Sequence, residues 1–493
     1  MSKTASSIML QGTGSDVGKT VLVAGLCRLA RRRGLTVMPF KPQNMSNNAA
    51  VASVPLPDGA GGEIGRAQWL QAVACGVPSS VDMNPVLLKP QSETGSQIVV
   101  HGRVWGSAKG RDYQKLKPDL LSAVLESHQK LSKECDLVIV EGAGSAAEIN
   151  LRAGDIANMG FAEAAKVPVV LVGDIDRGGV IASLVGTHTI LPPADRALVK
   201  GYVINKFRGD VSLFDEALVQ IKDFTGWRDF GVIPWLHSAS SLPPEDSVAL
   251  EKAVAGRGQG GTVVIPVLSR IANFDDFDPL KIEPGLDVQF VRPGDAWPKD
   301  ARLVILPGSK STIADLLEFQ RLGWDRELAG HVERGGHVLG ICGGYQMLGR
   351  IVRDPHGIEG TQTEAQGLGL LDVETELVPA KTVVNRAAQD VETGLSLDGY
   401  EIHMGRTGGR DTARPMVTFD GEPDGAVNGD GRVRGSYLHG LFAGDVWRRA
   451  YLKSLGITPG NVDYRASVET ALDDVADVLE QVVDPAIFGL SVS

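Results

Sequence analysis

Aromatic residues are scarce: Phe, Trp and Tyr make up 5% of the 493 positions. With 60 glycines, that share fits α/β units with many tight strand-to-helix turns better than a β-sandwich. Cysteine is scarce too. Cys27, Cys75, Cys135 and Cys342 lie far apart, without the paired spacing of a zinc cluster or a disulfide framework, and they suit a reducing compartment. The nine histidines show no metal-ligand spacing. No apolar run approaches the roughly 20 residues of a membrane-spanning helix, and the opening MSKTASSIML lacks the apolar segment of a signal peptide. A cytoplasmic protein is expected, with no membrane partner. Positive charge is in deficit, the net charge being −11, which argues against nucleic acid as a partner. An anionic substrate stays compatible, because a local cationic pocket can sit on an acidic protein.

What is present is 43% apolar residue in a chain too long for one core. In the first half, short runs rich in Val, Ile and Leu (SIML, LTVMPF, DLVIVE, VPVVLVGD, GYVIN, FGVIP) recur between helical patterns. Strands buried on both faces read this way, so a doubly wound, mostly parallel sheet is predicted. Near 251–262, EKAVAGRGQGGT dissolves into glycine and charge. The main boundary is placed there, giving domains over 1–250 and 251–493. A second strand series follows: TVVIPVL, DVQFVR, ARLVILPG, GHVLGIC and LGLLDVETELV. Near the end, Val468, Leu472, Val475, Leu479 and Val482 share one helical face with acids opposite, and Asp484-Pro485 stops the helix. This helix is a packing element, grouped with the second domain.

The segment QGTGSDVGKT, residues 11–20, departs from the usual phosphate-loop spacing of Gly, four residues, then Gly-Lys-Ser/Thr. Five residues separate Gly12 from Gly18. Even so, a strand precedes the loop and a helix follows it, which aims backbone N–H groups and a helix dipole at phosphate. Gly14 and Gly18 keep the loop permissive, Lys19 would contact the outer phosphates and Thr20 would ligate magnesium. Glu141, ending DLVIVE, is a second candidate for Mg2+. Asn205 and Lys206 end the strand GYVIN and could meet an adenine edge. ATP and Mg2+ are therefore the expected cofactors.

The segment GHVLGICGGYQMLG carries a second signal. Gly340-Ile-Cys342-Gly343-Gly344 has the nucleophile-elbow pattern, Gly-x-nucleophile-x-Gly, with cysteine as the nucleophile. The sharp turn demands small neighbours and sets the thiol over a helix start, which favours thiolate. His439 in GSYLHGLF is the expected general base, with His403 in GYEIHMG as competitor. Gly308, in LPGSKST, would share an oxyanion hole with Gly343.

The first half resembles dethiobiotin synthetase, whose loop has the same one-residue extension and whose later strand ends in EGAG. The second half resembles the flavodoxin-like, triad-type class I glutamine amidotransferases, which release ammonia from glutamine through a thioester. Many of these carry a Glu two residues after the histidine; here that position is Leu441, so the orienting group is open. From end to end, KPQNMSNNA, NPVLLKP, EINLRAGDIANMGFAEAA, GDIDRGGV, NKFRGD, ANFDDFDPL and YEIHMGRT resemble the cobyric acid synthase family. That resemblance implies a cobalamin-pathway ligase. It would use ATP and glutamine to amidate the b, d, e and g carboxylates of adenosylcobyrinic acid a,c-diamide. For this polyanionic corrinoid, Lys41, Arg177 and Arg208 are candidate carboxylate contacts. The alternatives are the sister cobyrinic acid a,c-diamide synthase, a partitioning-type P-loop ATPase, and an ATPase carrying an inactive glutaminase-like module.

Overall fold

The computed structural model describes residues 5–91, 95–245 and 260–490, so the boundary expected at 250/251 lies outside the described residues. The first half builds a six-stranded parallel sheet in the spatial order Arg228–Pro234, Val199–Phe207, Val169–Asp174, Ser6–Gly12, Leu137–Ser145, Val37–Phe40. The apolar runs form these strands because both faces are covered: every residue of Val169–Asp174 is buried. Strand order reverses around Ser6–Gly12, and the crevice beyond the carboxyl ends of such strands is where ligands of doubly wound sheets bind. Inserted after Phe40 is a smaller four-stranded sheet of Gln43–Met45, Val86–Pro90, Gly95–Val100 and Arg103–Lys109.

The second half forms another six-stranded sheet, ordered Leu286–Val291, Gly261–Pro266, Ala301–Leu306, His337–Ile341, Val433–Ser436, Ala426–Val427. All its pairs are parallel except the last. The run LGLLDVETELV does not join this sheet. It opens a long antiparallel hairpin, Val373–Asp390 with Ser396–Gly409, that reaches across to the first half. There Ala49, Val51, Leu87 and Val99 pack with Tyr400 and Ile402.

The C-terminal helix corrects the sequence reading. Tyr464–Val482 lies on helix Lys19–Arg32 of the first half, and Val468, Leu472, Val475 and Leu479 enter that core. Gly25 permits the close approach, since a Cβ there would sit 2.4 Å from Val475. The acids opposite are not simply solvated: Asp477 pairs with Arg32 at 2.6 Å, Glu480 with Arg33 at 3.1 Å, and Glu469 with Arg28. Arg28, Arg32 and Arg33 of the first helix and its C-terminus thus bind the last one.

Two buried ion-pair groups join the halves. Arg66 meets Asp275 at 2.8 Å. Glu63 accepts from Lys381 of the hairpin at 2.5 Å and also from Lys89. Burial alone would raise the Glu63 pKa, but Lys381 and Lys89 override it and hold the carboxyl at about 2. A depressed acid stabilises the fold above its unfolded pKa of about 4.3. This contribution is therefore present at neutral pH and is lost as pH falls from there through about 2. Glu63→Gln strands two buried ammonium groups and should lower unfolding stability by about 3–5 kcal/mol in denaturant titrations at pH 7. A loss below ~1 kcal/mol would contradict the pairing.

Candidate active sites

The loop after Ser6–Gly12 closes around its own strand end. Gly18 holds φ 92° at the start of helix Lys19–Arg32, a conformation open to glycine. A Cβ there would also strike the Asn205 amide at 2.4 Å, and one at Gly12 the Gly14 carbonyl at 2.5 Å. Asn205 donates to the Val17 carbonyl at 2.8 Å, and Lys206 meets Asp174 at 2.7 Å. Asn205, and Lys206 by donating to the Asp16 carbonyl at 2.5 Å, thus brace the loop. Lys19 donates to Gly144 at 3.0 Å, and burial, with Lys41 nearby, lowers its pKa.

Beside the loop, the Thr20 hydroxyl lies 2.8 Å from Glu141 and 2.7 Å from Glu245, its one proton shared between them. Lys41 bridges the same two carboxylates, at 2.8 Å from Glu141. Burial opposes the Lys41 charge, yet Glu141 and Glu245 override it and raise its pKa. Gln71 donates to the other Glu141 oxygen at 2.6 Å. Two carboxylates and a hydroxyl are hard oxygen donors of the kind Mg2+ takes, with its remaining positions left for water and phosphate. The donor set fits that ion. Lys41, Lys19, Lys117 and Arg152 line an adjoining cavity of about 400 Å³. Arg177 and Arg208 do not line it. Arg177 pairs with Asp16 at 3.2 Å, and Arg208 pairs with Asp176 at 2.9 Å and lies over Trp235.

The second site lies at the carboxyl ends of Ala301–Leu306 and His337–Ile341. Cys342 takes φ 53°, ψ −108° at the start of helix Gly343–Leu348, a strained backbone for a residue with a Cβ. The elbow needs its glycines: a Cβ on Gly344 would fall 2.0 Å from the Leu306 carbonyl, and one on Gly343 2.8 Å from the Ser309 nitrogen. Gly308 packs against His439, whose Cε1 a Cβ would meet at 3.2 Å. Cys342, His439, His403, Gly308 and Asn273 line one cavity of about 60 Å³. Cys27, Cys75 and Cys135 are unpaired thiols outside it.

His439 is held on three sides. Its backbone pairs with Tyr400 at 2.9 and 3.2 Å, the Tyr400 ring stacks on the imidazole, and Nδ1 lies 2.8 Å from Asp276. The second Asp276 oxygen accepts from the Gly440 nitrogen at 2.7 Å. Burial works against a charged imidazole, but the Asp276 carboxylate, with help from the Cys342 side, lifts its pKa to about 10. His403 instead stacks on Tyr437 and meets Glu401 at 3.2 Å. Leu441 is fully buried in the apolar core.

Asp276 and Glu245 were missed in the sequence. The acidic triplet of ANFDDFDPL, set among phenylalanines, was a usable signal for the first, since acids in an apolar frame need a buried partner. Glu245 in LPPED had none.

Residues 8–248 match the CobQ/CobB/MinD/ParA nucleotide binding domain, and residues 262–447 match the CobB/CobQ-like glutamine amidotransferase domain. The chain is 64% identical over 489 residues to a cobyric acid synthase of Mesorhizobium japonicum, covering 99% of this chain and 100% of that one. It is 65% identical over 479 residues to one of Allorhizobium ampelinum, covering 97% and 98%. It is 65% identical over 482 residues to one of Rhizobium meliloti, covering 98% of each.

Asp276→Asn removes the charge that holds the His439 proton. The histidine pKa should fall well below about 10, and glutamine hydrolysis should drop by about 100-fold or more. Histidine NMR titration and a glutamate-release assay check both; a variant with unchanged pKa and rate would remove Asp276 from the site.

Proposed function

The chain belongs to the cobyric acid synthase family, and on that premise we propose the following division of its two sites. The protein is a glutamine-hydrolysing, ATP-dependent amide ligase. It acts on a small corrinoid, converting the b, d, e and g carboxylates of adenosylcobyrinic acid a,c-diamide to amides. Identity along the whole chain favours this over the sister a,c-diamide synthase. What supports it most directly is a phosphate loop and a buried thiol–imidazole–carboxylate line within one chain.

At the first site, Gly14, Gly18 and Lys19 hold the ATP phosphates, Asn205 and Lys206 support the loop towards the adenine, and Thr20, Glu141 and Glu245 receive Mg2+. Mg2+ held by Thr20, Glu141 and Glu245 would supply the positive charge that Lys41 now provides to the two carboxylates, and Lys41 would then be free to contact the substrate carboxylate. Arg177 and Arg208, outside that cavity, contact outlying carboxylates of the polyanion. The carboxylate oxygen attacks the γ-phosphorus, ADP leaves, and an acyl phosphate forms.

At the second site, Cys342 attacks the glutamine side-chain carbonyl as thiolate. Its oxyanion is met by backbone N–H groups at Gly308 and Gly343. His439, oriented by Asp276, gives its proton to the departing nitrogen, and the C–N bond breaks to leave a thioester and ammonia. Water activated by the now neutral His439 hydrolyses the thioester to glutamate. Ammonia displaces phosphate from the acyl phosphate and forms the amide.

Cys342→Ser should lose glutamine-dependent amidation by at least about 100-fold yet amidate with added ammonium salt, increasingly so as pH rises and free ammonia accumulates. Lys19→Ala should fail with either nitrogen source. A Cys342→Ser enzyme that works normally with glutamine would remove the nucleophile assignment.

Glu245→Gln should raise the Mg2+ concentration needed for half-maximal ATP turnover by about tenfold or more, without altering glutamine hydrolysis. An unchanged Mg2+ requirement would leave Glu141 and Thr20 as the metal ligands.

A further inference from the structure

Ammonia made at Cys342 is consumed at the phosphate loop, and a four-residue stretch of chain joins the two. At one end, the Ser46 hydroxyl donates to the Glu245 backbone carbonyl at 2.9 Å, and the Glu245 carboxylate contacts Thr20 and Lys41. At the other, Ala49 exchanges hydrogen bonds with the Asn273 amide, its nitrogen at 3.4 Å and its carbonyl at 3.3 Å. Asn273 lines the Cys342 cavity. Three residue steps span at most about 10 Å, so residues 46–49 form a short link between a contact of the phosphate-loop site and a wall of the Cys342 cavity.

Between those ends stand Asn47 and Asn48. Asn48 is fully buried. Its amide nitrogen donates to the Pro244 carbonyl at 3.3 Å and its backbone carbonyl accepts from the Arg66 nitrogen, but its side-chain oxygen has no donor among the described residues. The side-chain oxygen of Asn47 is likewise buried without one among them. Buried acceptors are nearly always paired, because stripping water from them unpaired is costly. Two adjacent orphans on the segment that joins a source of ammonia to its sink mark a place for a small donor. Ammonia brings three N–H groups, and a neutral amide accepts them without giving up a proton, so the nitrogen keeps the lone pair it needs for attack.

Resting on the reaction proposed above, we propose that ammonia passes from the Cys342 cavity to the acyl phosphate along residues 46–49, accepted in transit by the side-chain oxygens of Asn47 and Asn48. They are positioning residues: neither bonds to ATP, glutamine or the corrinoid carboxylate.

The test is the ratio of glutamate released to amide formed, measured on the full chain with glutamine, ATP, Mg2+ and the corrinoid. Asn48→Leu keeps the shape and removes the acceptor. Glutamate release and ammonium-supported amidation should stay near the parent values, while glutamate released per amide rises about tenfold, the rate effect of losing one hydrogen bond from the route. Asn47→Leu, at a less enclosed position, should shift the ratio in the same direction and carries the test if Asn48→Leu does not fold. A ratio unchanged in a folded variant would mean that these oxygens hold only a structural water. Ammonium-supported amidation that falls as far as the glutamine-supported reaction would assign the residues to the ATP site instead. Either result overturns the proposal. Failure of the parent enzyme to amidate with ammonium at all would be a failure of the two-site reading itself.

Discussion

Two adjacent buried acids tie the halves together and set the chemistry at the same point. Asp275 turns to Arg66 of the first half, and Asp276 turns to His439 of the second. They can face different partners because successive side chains of the 3-10 turn Phe274–Phe277 point about 120° apart. Burial raises Asp275 to about 6, with Arg66 opposing the rise and Asp276 adding to it. The Arg66 nitrogen also holds the Asn48 carbonyl. A displacement of the halves would disturb the orientation of the catalytic imidazole and the inter-site segment together.

The two sites handle charge by the same device. At each, a buried cation is kept protonated by carboxylates: Lys41 by Glu141 and Glu245, His439 by Asp276. The difference lies in what can replace it. In the reaction proposed, a metal ion held by the oxygen donors at the phosphate loop would free the lysine. At the thiol, the imidazolium would give up its proton to the departing nitrogen. One site is thus loaded by its ligands, the other by its substrate's own bond breaking.

Much of this was legible in the sequence where the signal is local. Strands buried on both faces show as unbroken apolar runs, and the elbow shows as glycines at three set positions around Cys342, each of which the packing requires. The phosphate loop was readable despite its extra residue, because strand, loop and helix start are contiguous. Groups assembled over long separations were not readable. Asp276 meets His439 across 163 positions and Glu245 meets Thr20 across 225, and neither contact leaves a periodic trace. The same holds for the last helix. Its apolar stripe announces that it packs, but a stripe names no partner, and the three arginines that receive its acids look like ordinary C-terminal helix charges until the two helices are seen side by side.

That last helix closes the chain on itself. Because Tyr464–Val482 completes the core begun by Ser6–Gly12 and Lys19–Arg32, the glutaminase half is carried between two parts of the ATP-binding half, as a module spliced into it. A ribosome releases the final component of the first core only after the whole second sheet has been made. The amino-terminal half therefore waits, with an apolar face on its first helix uncovered, for the full length of synthesis. A fragment stopped before residue 464 therefore lacks part of the apolar core on which the phosphate-loop helix rests.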